Sequence, residues 1–239
     1  MSNPAFWEKT YVGLESDNWV MTVEWSIQKS ILLIWITILV AIATWMYAPL
    51  NSIVIPNYFI LAIVWFIVAL IIIFKKKTAP FLAPVYAVIE WTVIWAISMI
   101  YDVALPGIVM QAVWLTFVIF LIMLWLYASK IIVVTEKFRM WVVAATWAIM
   151  FMYIIAFIWS LSGWFSMPFI HESGPIGIWV SVFIVGIAAF NLALDFDVIE
   201  QGAAEKAPKY MEWYASFGLL VTLVWLYLEV LRLLSKMRK

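Results

Sequence analysis

"NLALDFDVIEQGAAEKAPKYMEWY", residues 191–214, crowds Asp195, Asp197, Glu200, Glu205 and Glu212 into one short stretch of an otherwise almost wholly apolar chain. It is either an ordinary wet connection between two membrane helices, or some of its carboxylates belong to an ion or proton path inside the bilayer. The composition on either side decides what the stretch connects.

Of the 239 residues, 67% are hydrophobic and 12% charged, and the mean hydropathy of +1.07 lies far outside the range of soluble domains. A helix needs about 17 to 25 apolar residues to cross ~30 Å of hydrocarbon. The chain reads as seven such runs, over 30–47, 58–74, 80–101, 107–128, 140–162, 175–197 and 213–234. The fold class expected is an all-α, polytopic seven-helix membrane bundle. No long polar segment is left between the runs, so one domain over 1–239 is expected, opened by a short polar segment, 1–26, that lacks the apolar core of a cleaved signal. With no cysteine, disulfides, thiol nucleophiles and thiolate metal sites are excluded.

Lys and Arg near the ends of spans favour the cytoplasmic side, and here they alternate. Lys9 and Lys29 precede the first run, Lys75, Lys76 and Lys77 follow the second, Lys130, Lys137 and Arg139 the fourth, and Lys206 and Lys209 the sixth. This pattern predicts a cytoplasmic N-terminus, with loops 75–79, 129–139 and 198–212 on the same side. The tail breaks it, because Arg232, Lys236, Arg238 and Lys239 would lie outside after seven crossings. A last segment that re-enters or begins deeper would return them; a contact with anionic lipid or a plain solvated tail are the two readings of the tail itself.

Pro and Gly in "YAPLNSIVIPN", "KKKTAP", "DVALPG" and "SGWFSMPFIHESGPIG" mark helix ends, and the short connections predict antiparallel neighbours. Pro84 falls inside the third run, where a bend is tolerated if neighbours satisfy the freed carbonyl. Among the 17 tryptophans, Trp35, Trp65, Trp91, Trp95 and Trp147 sit inside runs instead of at the interfaces that usually hold them. Lipid-facing or interhelical packing is the reading favoured over an aromatic cofactor box.

An ionisable group within a span is costly and is a functional candidate by default. Glu90, in "PVYAVIEWTVIW", stands near the middle of the third run. Glu229 and Arg232, in "LVWLYLEVLRLL", are one turn apart and can pair. Asp195 and Asp197 close the sixth run and point in different directions, so at most one faces inward; Asp102 reads as a loop residue. For Glu90 and Glu229, an ion or proton path and a buried structural acid both remain open.

Enzyme chemistry is not expected, and no catalytic residue is assigned. His171 is the single histidine and falls in a predicted outer loop, so no histidine-based metal site can be assembled. Every lysine reads as loop or tail, which excludes a retinal Schiff base, and no Gly-rich phosphate loop or nucleophile elbow is present. No cofactor, resident metal or nucleic-acid partner is expected. A bundle bearing carboxylates suits protons or hard cations such as Ca2+, and carboxylates crowded in a low dielectric cannot all ionise together.

"SNPAF" at 2–6, "VTEKFR" at 134–139, "SGPIGI" at 173–178 and above all "NLALDFDVIEQGAAEKAPKYMEWYASFGLLVTLVWLYLEVLRLL" resemble the bacterial YccA-like branch of the Bax inhibitor-1 family. That resemblance implies six helices in hairpins around a central seventh, a bacterial inner-membrane location and a pH-sensitive Ca2+ leak gated by two intramembrane acids sharing a proton. By position, Asp195 resembles the sixth-helix acid and Glu229 the seventh-helix one, with Glu for Asp; Glu90 is an alternative partner for Glu229. Their spacing is wider than the family pattern. A straight hairpin turning near Lys206 would set Asp195 level with Gly218 and Glu229 about 16 Å further along. The sequence also has Trp25, Trp91, Trp95, Trp141, Trp147 and Trp179 where that branch has glycine. Such exchanges at close helix contacts would clash unless those faces meet lipid or the bundle is spread apart, which points to an engineered or redesigned descendant.

Overall fold

The computed structural model describes residues 20–46, 48–162 and 174–238, with helix backbone but not side chains over most of 45–59 and 157–162. Lys9, His171 and "SNPAF" lie outside the described residues. Among those described there are seven α-helices: α1 Val23–Met46, α2 Ala48–Phe74, α3 Ala79–Ala104, α4 Ile108–Ala128, α5 Glu136–Ser162, α6 Pro175–Ala204 and α7 Tyr210–Met237. Six contain apolar stretches long enough to cross a membrane, and the described part of α2, Ile60–Phe74, adds a shorter one. Helices α1, α5 and α6 start or end beyond their apolar runs, because polar residues such as Lys29, Lys137 and Glu200 continue the backbone ladder. Helix α2 begins at Ala48, so "APLNSIVIPN" (48–57) is helical and not a loop: Pro49 stands in the first turn, where its missing N–H costs nothing.

The chain divides into two compact units. One contains the residues up to Ala104 together with Asp197–Val221. In it α3 packs against both α1 and α2. Tyr86, seven residues into α3, meets Phe217, seven residues into α7, edge to face at 4.8 Å. Ser30, seven residues into α1, bonds Ser216, six into α7, at 3.0 Å. Helices α1, α3 and α7 are therefore parallel here and start at one end.

The other unit comprises Leu105–Phe196 and the chain from Thr222 onward. Its centre is Ile149 of α5 with Ile184 and Ile187 of α6, flanked by Trp225 of α7 and by Tyr153. Phe196 packs on Phe120 and Tyr127 of α4, and Phe190 on Phe138 and Trp141 of α5. Arg238 donates to the carbonyl of Pro106, just before α4, at 3.1 Å, and Lys236 to Gly177 in the first turn of α6 at 3.0 Å. The end of α7 thus lies beside the starts of α4 and α6.

Helix α7 runs unbroken for 28 residues, and 67% of its most apolar window is buried against 11% for α5. Of its C-terminal charges, Lys236 and Arg238 bond at the starts of α6 and α4. Both are held by carbonyl acceptors.

Both long returns end in the same device. The Lys206 N–H bonds Ala203 and the Ala207 N–H bonds Gly202; Lys130 and Ile131 repeat the pattern on Tyr127 and Leu126. These are the paired bonds of a Schellman motif. Lys206 (φ 52) and Lys130 (φ 55) occupy its left-handed position, which usually falls to glycine because a Cβ is crowded there.

The candidate carboxylate sites

Glu229 lies on the buried face of α7, 2% exposed, and its carboxylate is tied on three sides. The Tyr153 hydroxyl, from α5, donates to Oε1 at 2.9 Å and Oε2 at 3.1 Å. Arg232 reaches both oxygens at 3.0 Å, the one-turn pairing expected from the sequence, and Trp225 donates its indole N–H at 3.3 Å. Arg232 also donates to the Tyr153 oxygen and lies 4.9 Å from that ring's centre. Charge, hydrogen bonds and π face close on one another, so the buried Glu229 is anchored to a partly exposed Arg232, whose side chain is 29% exposed.

Asp195 is fully buried in α6, whereas Asp197 is half-buried and accepts a bond from Gln201 at 2.8 Å. One of the two faces inward, as helical phase requires. One turn before Asp195, Asn191 donates to Thr146 of α5 at 2.9 Å. Lys236 contacts Gly177 and also Ser181, at 2.8 Å. Seven residues back along the antiparallel α7, Glu229 is then level with about Gly186, some nine residues or about 14 Å short of Asp195. The structure does not set these two acids side by side.

Glu90 is fully buried in α3. Tyr86, one turn earlier, donates to its Oε1 at 2.8 Å, and Oε2 has no hydrogen-bond partner among the described residues. Tyr86 touches Phe217 of α7, so Tyr86 and Glu90 share the α3 face turned to that helix. Asp102 is not in a loop: α3 continues through it to Ala104.

The sequence reading missed two buried charges. Glu212, treated as part of the solvated stretch, is fully buried in the first turn of α7. It accepts from the Thr22 N–H at 3.1 Å and forms an ion pair with Lys29, which lies inside α1 and not before it. Lys236, read as tail, is 6% exposed within α7, so lysine is not confined to loops. Trp25 and Trp213 flank the Lys29 ammonium at 5.7 and 5.6 Å, and a lysine beside aromatic rings can bury its stem and keep its charge satisfied.

Apolar helices of spanning length with carboxylates enclosed among them define a polytopic helical membrane protein. The chain belongs to the Bax inhibitor 1 like family, whose match covers residues 3–239. Searches of curated proteins and of solved structures return no match.

Proposed function

We propose that this protein is a pH-sensitive cation leak channel of the Bax inhibitor-1 type, conducting Ca2+, of the YccA-like branch, in a bacterial inner membrane with its N-terminus in the cytoplasm. The observation that carries the reading is that Glu90, Asp195 and Glu229 are each 2% exposed or less within membrane-length helices. Acids are held at such positions at considerable cost, and protons and hard cations are what they serve. Proton uptake by one member of such a set changes the charge that a passing cation meets, without catalysis or a cofactor. Asp195 is the candidate proton-linked group of one unit, where Glu229 and Arg232 form a fixed pair, and Glu90 is the candidate of the other. Asp197, on the outer side of the α6 turn, is a candidate only for the mouth.

The test is calcium entry into liposomes loaded with an indicator, across a pH series, for wild type, Asp195→Asn, Glu90→Gln and Glu229→Gln. Flux whose pH dependence disappears in Asp195→Asn or Glu90→Gln is expected. A dependence unchanged in both would remove the gate from these acids.

A second reading is a non-transporting scaffold, a redesigned descendant that has kept the fold and lost the activity. Its support is the tryptophans: Trp25, Trp141 and Trp179 are 49%, 52% and 74% exposed, while Trp95 is 1% exposed. Large residues thus stand both on the outer faces and in the core where close helix packing usually calls for small ones. Absence of flux from well-folded protein would favour this reading.

A further inference from the structure

Helices α2 and α3 meet in a corner that three lysines turn. Lys75 follows the last residue of α2, and Lys76–Thr78 form a 3-10 turn that leads straight into α3. The Thr78 hydroxyl fastens the turn by donating to the Lys75 carbonyl at 2.8 Å. Lys76 turns inward and lies 5.5 Å from the centre of the Tyr214 ring, near the start of α7, so the corner is seated on that helix. Lys75 and Lys77 have exposed side chains. Among the described residues neither ammonium meets an acid or a ring, and the sequence has no Asp or Glu between Glu24 and Glu90. Large apolar side chains stand on both sides of these two lysines. Ile71 and Phe74, at the end of α2, are 39% and 76% exposed, and Phe81 and Val85, in the first turns of α3, are 80% and 46% exposed. Spaced three and four residues apart, each pair forms a stripe that runs along its helix away from the lysines.

We propose that this corner is a site for an anionic phospholipid, whose phosphate lies between Lys75 and Lys77 and whose acyl chains run over Phe74 and Phe81. Positive charge and exposed hydrocarbon meet here at the end of a helix of membrane-spanning length, and the anion that carries hydrocarbon at that depth is a phospholipid. Lysines next to a span each add attraction for an anionic leaflet. An acidic peptide or a soluble polyanion would engage the ammoniums and leave both phenylalanine rings in water. Because Thr78 and Tyr214 already hold the turn, the corner loses little freedom when the headgroup docks. The site depends neither on cation conduction nor on the buried acids.

The full chain in an uncharged detergent is titrated with phosphatidylglycerol and, separately, with phosphatidylcholine of the same acyl chains, and bound lipid is counted by native mass spectrometry. Phosphatidylglycerol is expected to bind the more tightly, and Lys75→Gln/Lys77→Gln to weaken it on the order of tenfold with no change for phosphatidylcholine. Lys75→Arg/Lys77→Arg should keep the preference. Lys130→Gln/Lys137→Gln, which removes two exposed charges elsewhere, should leave the affinity as it is. Equal affinity for the two lipids, no loss in Lys75→Gln/Lys77→Gln, or an equal loss in Lys130→Gln/Lys137→Gln overturns the proposal. Inorganic phosphate is the last arm: displacement of phosphatidylglycerol by phosphate at matched concentration would show that the apolar stripes contribute nothing, and would overturn the assignment to a lipid.

Discussion

The Tyr153 hydroxyl of α5 stands 2.9 and 3.1 Å from the two carboxylate oxygens of Glu229 on α7, joining two helices through a charge that Arg232 balances. Removing the partly exposed Arg232 leaves the enclosed carboxylate with its Tyr153 and Trp225 donors but without its counter-charge. Arg232→Ala should therefore cost about 1–3 kcal/mol, read as a lowered denaturation midpoint in detergent. Glu229→Met/Arg232→Met should recover most of that loss. Equal losses in the single and double variants would show that the pair is not coupled.

Lys236 places its ammonium against the Gly177 carbonyl and the Ser181 hydroxyl. Lys236→Met should cost about 1–3 kcal/mol by leaving both acceptors without their donor. Ser181→Ala, which removes only one acceptor, should cost about 1 kcal/mol. Thermal unfolding of the two variants checks the order.

Left-handed backbone at Lys206 and Lys130 strains any residue with a Cβ. Lys206→Gly and Lys130→Gly should each stabilise by about 0.5–1 kcal/mol, the relief of strain being partly offset by the freer unfolded chain. A fall in the denaturation midpoint would mean that the ammoniums contribute more than the turns cost.

Trp95 and Trp179 should answer oppositely. Truncating the enclosed Trp95 to Ala should cost about 3–5 kcal/mol. Trp179→Leu, on an outer face, should change stability by less than about 0.5 kcal/mol.

Tyr86→Phe withdraws the bond that Glu90 accepts, leaving a fully enclosed carboxyl with neither oxygen engaged by that hydroxyl. A loss of about 1–3 kcal/mol is expected. Glu90→Gln keeps an acceptor for Tyr86 and should stay within about 1 kcal/mol of wild type, which makes it the cleaner variant for flux.

The helices were legible because hydrocarbon imposes a length on every crossing. The turn near Lys206, the fact that only one of Asp195 and Asp197 faces inward and the Glu229–Arg232 pair follow from helix geometry alone, whereas the choice of Asp195 came from the resemblance. Helix starts were not legible at α2, where proline suits a first turn as well as it suits a loop. Nor were Lys29, Glu212 and Lys236, because a charge close to a helix end looks solvated until a distant partner is known. Glu212 finds its cation 183 residues earlier in the chain, a pairing that local spacing cannot reveal.

Lysine at the left-handed positions of the α4 and α6 returns also bears on how the protein enters a membrane. Glycine would make either turn more easily, yet each holds an ammonium directly after an even-numbered helix. During synthesis such a charge resists being carried across the bilayer. Under the proposed orientation, the two residues that stop the helices would also help to keep those turns in the cytoplasm, and a glycine there would improve the turn while removing that contribution.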